Sequence, residues 1–181
     1  MQYLNKITLK DGRELLLRNA TQSDGEEVYK LFHLVHDESD YLLSYSDEST
    51  LDIAGEGEFL RRMEESPNEI MLLAFLDGRL VGTASVGSVG QKYKLRHRAS
   101  FGISVVKEFW GLGIGTALTR SCIQCARLGG FVQLELEAVA DNTRAINMYE
   151  KAGFREFGRN PKGFNSRYSG YQELVSMLLE L

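Results

Sequence analysis

Three glycines at alternate positions, Gly111, Gly113 and Gly115, lie in the stretch KEFWGLGIGTALTR. A β-like run precedes them and a helix-like run follows, so we expect a strand to end near Val106 and a helix to begin near Gly113. The first backbone N–H groups of a helix lack internal acceptors and lie at the positive end of the helix dipole. Because glycine lets the backbone approach an anion closely, the loop is suited to a phosphate or pyrophosphate, with a tight turn that binds nothing as the alternative.

The residues around the glycines distinguish between the known kinds of phosphate-binding loop. A P-loop for ATP or GTP requires a Lys after its last glycine, and none follows here. A dinucleotide fingerprint requires G-x-G-x-x-G, but Thr116 occupies the third glycine position, although Glu135 or Glu137 could imitate the ribose-binding acid. A dinucleotide fold also needs further strand–helix units, and the rest of the chain predicts one short helix. A nicotinamide-dependent oxidoreductase is therefore kept only as an alternative.

Turn and helix signals along the chain predict the elements that position this loop. Asp-Gly pairs at 11–12 and 77–78, each between β-rich runs, predict two hairpins. Helical spacing of apolar residues predicts a helix within ATQSDGEEVYKLFHLVHDES and a shorter one before Pro67. HRASFGISVV and FVQLELEAV predict strands, and FREFGR and GYQELVSMLLEL predict two closing strands joined by the loop NPKGFNSRYS. The simplest account is a single α/β domain over residues 1–181, with antiparallel strands first and a β-α-β unit late.

Composition and charge argue against several classes of function. The chain has 181 residues, a net charge of −4 and a pI of about 5.5, so it lacks the basic excess with which non-specific nucleic-acid binders neutralise phosphates. No apolar run approaches the roughly 20 residues that span a bilayer, and the N-terminus lacks the apolar region of a signal peptide. We therefore expect a cytoplasmic protein with no membrane or nucleic-acid partner. Cys122 and Cys125 lie mid-helix, where we expect buried apolar residues rather than a redox pair or a metal site.

A second motif, ADNTRAINMYEKAGF, follows the glycine loop and predicts a helix capped at its start by Asp141 or Asn142 and ended by Gly153. Together with LRNATQSD and ISVVKEFWGLGIGTAL, this motif resembles the GNAT superfamily of N-acetyltransferases over nearly the whole chain. The resemblance implies a motif core over about residues 14–181. It also implies a mixed, mostly antiparallel central sheet flanked by helices, with a splayed pair of strands that binds the cofactor.

The resemblance implies acetyl-CoA as co-substrate, no metal, and a set of residues that bind the coenzyme. Backbone groups near Val105 would pair with the pantetheine arm as an added strand would, the glycine loop would bind the pyrophosphate, and Asn142 would hydrogen-bond the pantetheine. The family loop begins with Gln or Arg, whereas this chain has Trp110, so that contribution must come from elsewhere. The implied positions are Val105, Lys107, Trp110, Gly111, Leu112, Gly113, Ile114, Gly115, Thr116, Asn142, Ala145 and Tyr149.

The reaction implied by the resemblance is direct acetyl transfer from the thioester to an amine. Tyr149 matches the position that protonates the leaving thiolate, and a backbone N–H of Val105 or Val106 would stabilise the oxyanion. The general base is open, because the alternating residues of the strand before the loop include no acid. His97 is the titratable group there, Glu137 on the next strand is a second candidate, and a base acting through water is a third.

The amine acceptor is the least defined part of the prediction. The stretch HDESDYLLSYSDEST is acidic and aromatic, and its residues Asp37, Glu38, Tyr41 and Tyr45 would suit a cationic amine, with a solvated loop as the alternative. The acceptor would be a small-molecule or protein amine, and the fold is compatible with a homodimer. A GNAT-like domain that binds acyl-CoA without turnover, as a sensor or scaffold, is the alternative to an enzyme.

Overall fold

The computed structural model describes residues 1–181 as one sheet of eight strands with four α-helices. The strands are β1 (Leu4–Thr8), β2 (Glu14–Asn19), β3 (Ile70–Leu76), β4 (Arg79–Ser88), β5 (Arg98–Val105), β6 (Gln133–Val139), β7 (Arg155–Ser166) and β8 (Gly170–Glu180). The helices are α1 (Gly25–Glu38), α2 (Ile53–Glu65), α3 (Ile114–Leu128) and α4 (Thr143–Ala152). None of these helices combines the length and the apolar character needed to cross a membrane.

The strands lie in the order β1-β2-β3-β4-β5-β6-β8-β7, and every neighbouring pair except β5–β6 is antiparallel. Both predicted hairpins are present, as β1–β2 and β3–β4. In the second hairpin, Asp77 has a φ of 52° and Gly78 a φ of 79°, as an Asp-Gly turn requires. The α3 crossover joins the one parallel pair. The predicted mixed, mostly antiparallel sheet flanked by helices is therefore confirmed.

Helices cover both faces of the sheet. Side chains along a strand point alternately to these two faces, so neighbouring residues of one strand pack against different helices. In β3, Leu72 and Ala74 pack in the core that contains α3 and Tyr149 of α4. Leu73, which lies between them, packs instead with α1 and α2. Side chains of the central strands therefore belong either to the α3–α4 face or to the α1–α2 face.

The parallel strands β5 and β6 separate partway along their length. They pair over Arg98–Ser100 and Gln133–Glu135 and nowhere beyond. Both strands nevertheless continue, β5 to Val105 and β6 to Val139, and each stays paired to its other neighbour. The backbone groups that these strand ends turn toward each other therefore have no partner in the sheet. This is the splayed strand pair that the resemblance implies.

The end of the chain differs from the sequence-based prediction. The segment NPKGFNS, expected to lie in a loop, belongs to β7, which pairs with β8 as far as Ser166. The register shifts between Glu156 and Gly158 and again between Asn160 and Phe164. Because β7 is an edge strand, Pro161 can lie in the second irregularity without removing a hydrogen bond from a central ladder.

Candidate active site

A single cleft of about 1650 Å³ runs through the gap between β5 and β6. The glycine loop, α3 and α4 line it on one face of the sheet, and residues 39 and 41–43 after α1 line it on the other. All the cofactor positions implied by the resemblance line this cleft except Lys107. The structure therefore brings together residues that lie far apart in the sequence.

The glycine loop presents free backbone donors at the start of α3. Gly113 caps the helix with a φ of 95°, and no side chain bonds to the helix end. Gly111 also has a positive φ, and no atom lies within 4 Å of the place where a Cβ would stand at either glycine. The N–H groups from Leu112 to Thr116 therefore face open space at the positive end of a helix, an arrangement that binds a pyrophosphate.

Trp110 and Arg144 together occupy the place of the expected Gln or Arg. The indole Nε1 of Trp110 donates to the carbonyl oxygen of Val105 at 2.6 Å. The Arg144 guanidinium of α4 lies 4.2 Å from the centre of the Trp110 ring, a cation–π contact. Arg144 of α4 therefore places a cation beside Trp110. Four cationic side chains line the cleft, Lys10, Arg120, Arg144 and Lys151.

The backbone of β5 shows which N–H groups face the gap. Val106 N–H donates to the Val81 carbonyl of β4 at 3.0 Å, and the Arg98 carbonyl accepts from Val89 N–H on the same side. The His97 carbonyl accepts from Val132 N–H on the β6 side. Backbone N–H and carbonyl groups of successive residues in a strand point to opposite neighbouring strands. Because Val106 N–H points to β4, Val105 N–H points to the β6 side and faces the gap. Val106 is therefore excluded as an oxyanion donor, and Val105 stays the candidate.

Tyr149 places a free hydroxyl in the cleft. Its ring is 7% exposed and packs edge-on against Phe101 and Phe154. The hydroxyl makes no hydrogen bond within the protein, although Tyr149 lines the cleft. Burial raises the pKa of Tyr149 to about 12, so the phenol stays protonated at neutral pH. The side chain is thus a proton donor that lacks an acceptor in the protein.

Asn142 and Ala145 are held by the capping of α4. The side-chain oxygen of Asn142 accepts from Ala145 N–H at 3.3 Å, which confirms Asn142 as the N-cap, and Gly153 ends the helix with a φ of 104°. The Asn142 oxygen is therefore occupied. Its amide NH₂ makes no hydrogen bond within the protein and can donate to a ligand in the cleft.

The two candidate bases lie in different places. His97 is exposed before the first residue of β5 and does not line the cleft. It lies about 26 Å along the strand from Val105, at about 3.3 Å per residue. Glu137 lines the cleft, and its carboxylate accepts from the Ser176 hydroxyl at 3.1 Å. The neighbouring Glu135 also lines the cleft, but Arg98 pairs with it at 2.7 Å and lowers the pKa of its carboxyl.

Most of the acidic residues at the end of α1 and in the loop after it bond to other parts of the protein. Glu38 accepts from the backbone N–H of Lys107 at 2.8 Å, so its carboxylate helps to fix the end of α1. Asp37 accepts from the Ser46 hydroxyl, and the Tyr45 hydroxyl accepts from Arg167 N–H at 2.8 Å. Of Asp37, Glu38, Tyr41 and Tyr45, only Tyr41 lines the cleft.

Asp40 joins this loop to the end of the β7–β8 hairpin. Its carboxylate accepts from the hydroxyls of Ser166 at 2.7 Å and Ser169 at 3.0 Å, and from the Gln172 amide at 3.2 Å. The loop after α1 is therefore fixed at two points, by Glu38 to the end of β5 and by Asp40 to the hairpin. It lines the α1–α2 side of the gap.

Several cleft residues were missed by the sequence analysis. The absence of Gln or Arg at position 110 could have prompted a search for a cation such as Arg144. No local signal marks Ser176, which becomes relevant only through the pairing of β8 with β6. Likewise, only the folded chain brings Leu42, Leu43 and Phe164 to one cleft.

The two cysteines have no part in the site. Cys122 and Cys125 are buried and unpaired, as expected for apolar residues on α3. Burial raises the pKa of the Cys122 thiol well above its usual range and that of Cys125 to about 11. The structure also contains no group of three or more His, Cys, Asp or Glu side chains arranged to hold a metal ion.

Comparison with known proteins agrees with this geometry. The sequence matches the Acetyltransferase (GNAT) family over residues 27–154. It is 33% identical over 102 residues to the L-amino acid N-acetyltransferase AaaT of Escherichia coli (strain K12), a match that covers 56% of this chain and 62% of the relative. The structure resembles that of a GNAT-family acetyltransferase from Streptococcus pneumoniae, with a TM-score of 0.88 and 27% identity over 92% of this chain and 99% of that chain.

A further solved structure shares the fold. The structure of yncA from Salmonella typhimurium, solved with acetyl-CoA, has a TM-score of 0.81 and 18% identity over 92% of this chain and 94% of that chain. The family match includes the glycine loop and the motif that carries Tyr149. The chain therefore belongs to the acetyltransferase (GNAT) family.

Proposed function

We propose that this chain is an N-acetyltransferase that moves the acetyl group of acetyl-CoA directly to a primary amine. One observation carries the proposal: the free donors of the glycine loop, the Val105 N–H and the unpartnered Tyr149 hydroxyl all open into one cleft that crosses the sheet. A coenzyme on the α3–α4 face and an amine on the α1–α2 face can meet in such a cleft. AaaT, which is named as an L-amino acid N-acetyltransferase, supports an amine nitrogen as the acceptor.

The residues of the α3–α4 face fit acetyl-CoA. Backbone N–H groups of the glycine loop would hold the pyrophosphate, with Arg144 adding positive charge beside it. The unpaired edge of β5 would hold the pantetheine arm, with the Asn142 amide as a further donor. Because Trp110 already donates to the Val105 carbonyl, Val105 contacts the acyl end through its N–H alone.

The reaction replaces the C–S bond of the thioester by a C–N bond. An ammonium must lose one proton before it attacks and a second as the amide forms, and the departing thiolate takes up one. Val105 N–H stabilises the oxyanion, and Tyr149 donates to the sulfur as negative charge develops there. A phenol with a pKa of about 12 is a weaker acid than a thiol near 8.5, so its proton must be replaced by one shed from the amine.

The test of the proposal is the release of free thiol from acetyl-CoA in the presence of a panel of primary amines. We expect one thiol for each acetylated amine, as detected by mass spectrometry, and none when the amine is omitted. Both cysteines are buried, so we expect them not to react with the thiol reagent in the native protein, and a sample without acetyl-CoA checks this. If acetyl-CoA binds but no amine releases thiol, the non-catalytic acyl-CoA-binding alternative is correct.

Glu137 is the proposed general base, because it is the carboxylate of the α1–α2 face that no cation neutralises. We expect Glu137→Gln to lower kcat by about 10²- to 10⁴-fold, since it keeps the size of the side chain and removes its basicity. Affinity for acetyl-CoA should be unchanged, because the coenzyme lies on the other face. Glu173→Gln on β8, outside the cleft, is the matched control. A wild-type rate in Glu137→Gln would assign proton removal to water or another group.

A further inference from the structure

The α1–α2 face of the cleft can be defined from strand alternation. Phe101 of β5, Leu136 of β6 and Met177 of β8 pack in the core beneath α3. The side chains next to them in each strand therefore point to the face that carries α1 and α2. Those that line the cleft are Ser100, Gly102, Ser104, Glu135, Glu137 and Ser176. The floor of the acceptor side is thus made of small side chains and two carboxylates.

Only one of those carboxylates is available to an acceptor. Glu135 is held by Arg98 and by the Gln133 amide at 2.8 Å, so its charge is neutralised. Glu137 has only the neutral Ser176 hydroxyl as its partner. Glu38 and Asp40 of the adjoining loop do not line the cleft, and their carboxylates accept the hydrogen bonds that fix that loop. Among the residues that line the acceptor side, Glu137 is therefore the one carboxylate without a cationic partner, and it can pair with one ammonium.

No unpaired cation is directed at this side of the cleft, because Arg98 is already paired with Glu135. Arg120, Arg144 and Lys151 belong to α3 and α4, on the opposite face. Lys10 lies in the β1–β2 turn, and β1 is four strand positions from β5, about 19 Å at about 4.8 Å per strand. Arg167 of the hairpin is paired with Asp47 and does not line the cleft. A carboxylate on the acceptor would find no partner here and would meet Glu137.

The wall of the acceptor side is apolar. Tyr41, Leu42 and Leu43 line the cleft on the loop that Glu38 and Asp40 fix, and Phe164 of β7 also lines it. Leu43 is 83% exposed at the rim, so a large apolar side chain stands uncovered beside the site. Because the two anchors hold the loop in place, this wall is formed before any acceptor binds.

We infer that the acceptor is a primary amine with a single positive charge, an apolar body and no carboxylate. The inference rests on the proposed function and names the substrate class of the same site. Acceptors of this class share an ammonium group, an apolar group beside it and an otherwise uncharged structure. A small amine and the N-terminus of a peptide that begins with an apolar residue both satisfy it, whereas free amino acids and polyamines do not.

A panel of matched amines tests each part of the inference by thiol release. Leucine differs from leucinamide by its carboxylate, lysinamide by a second cation, and glycinamide by the lack of an apolar body. We expect kcat/KM for leucinamide to exceed each of the other three by about tenfold or more. Rates are compared per concentration of unprotonated amine, because amidation lowers the pKa of the amine itself. A tetrapeptide amide that begins with Leu, run beside leucinamide, distinguishes a peptide acceptor from a small one, and a faster rate for either supports the inference.

A variant connects the preference to the wall. Leu43→Asn should reduce the preference for leucinamide over glycinamide by about tenfold, and Leu51→Asn, an exposed leucine of the same loop outside the cleft, should leave it unchanged. Equal turnover of lysinamide, spermidine or free leucine would overturn the inference while acetyl transfer itself stands. If none of these amines releases thiol from a protein that binds acetyl-CoA, the proposed function fails and the inference with it.

Discussion

Replacing Gly113 by glutamate is expected to abolish the stabilisation that acetyl-CoA gives the wild-type protein. At 100 times its Kd, a ligand that binds only the folded state raises the free energy of unfolding by about 2.7 kcal/mol. Gly113 has a φ of 95° at the first turn of α3, and a side chain there would enter the open space in front of the free N–H groups. A carboxylate at that point would repel the pyrophosphate. Thermal unfolding with and without acetyl-CoA measures the effect.

Two further variants separate charge from strain in this experiment. Gly113→Ala also places a Cβ at a residue with positive φ, so it causes the same backbone strain, but it adds little bulk and no charge. It should therefore weaken coenzyme binding less than Gly113→Glu does. Gly78→Glu places the same residue at a positive φ in the β3–β4 turn, outside the cleft, where nothing lies within 4 Å of the new Cβ. It should lower stability but keep the full acetyl-CoA shift. A full shift in Gly113→Glu would mean that the glycine loop does not hold the pyrophosphate.

The elements that could be predicted from sequence are those with local signals. The Asp-Gly pairs predict the hairpins because these residues adopt the positive φ angles that a tight turn requires. The spacing of apolar residues in α1 and α3 predicts which face of each helix is buried. The glycine loop was placed correctly because a strand, positive-φ glycines and a helix start follow one another in the chain. The resemblance to a family then placed Tyr149 in the same cleft, although 33 residues separate it from Thr116 in the printed sequence.

The parts that could not be predicted depend on contacts between distant segments. HDESDYLLSYSDEST has the composition of a substrate-binding acidic loop, but Asp40 bonds to Ser166, which lies 126 residues away. Whether the N–H of Val105 or that of Val106 faces the gap depends on the register of the β4–β5 pairing. A shift of that register by one residue would exchange the two. The course of β7 through Pro161 depends on its place at the sheet edge. None of these features can be predicted from a pattern among residues that are close in the sequence.

Tyr149→Phe is expected to reduce kcat by about 10²- to 10⁴-fold while leaving the Kd for acetyl-CoA nearly unchanged. The ring would keep its packing against Phe101 and Phe154, and the lost hydroxyl has no partner in the protein, so folding should not suffer. Thiol-release kinetics give kcat, and thermal shifts give coenzyme affinity. Tyr171→Phe, on the exposed side of β8, is the matched control and should retain full activity.

The pH dependence of protein stability is a second test of the Tyr149 side chain. Because burial raises the pKa of Tyr149 to about 12 from an unfolded value near 10, the stability it contributes is complete below about pH 10 and is lost as pH rises toward 12. Wild type should therefore lose stability over this range more steeply than Tyr149→Phe, and below about pH 10 deprotonation of Tyr149 should not limit the rate. If Tyr149→Phe keeps the wild-type kcat but shows the altered alkaline stability, the hydroxyl is buried as described but does not donate to the thiolate, and a solvent proton must take its place.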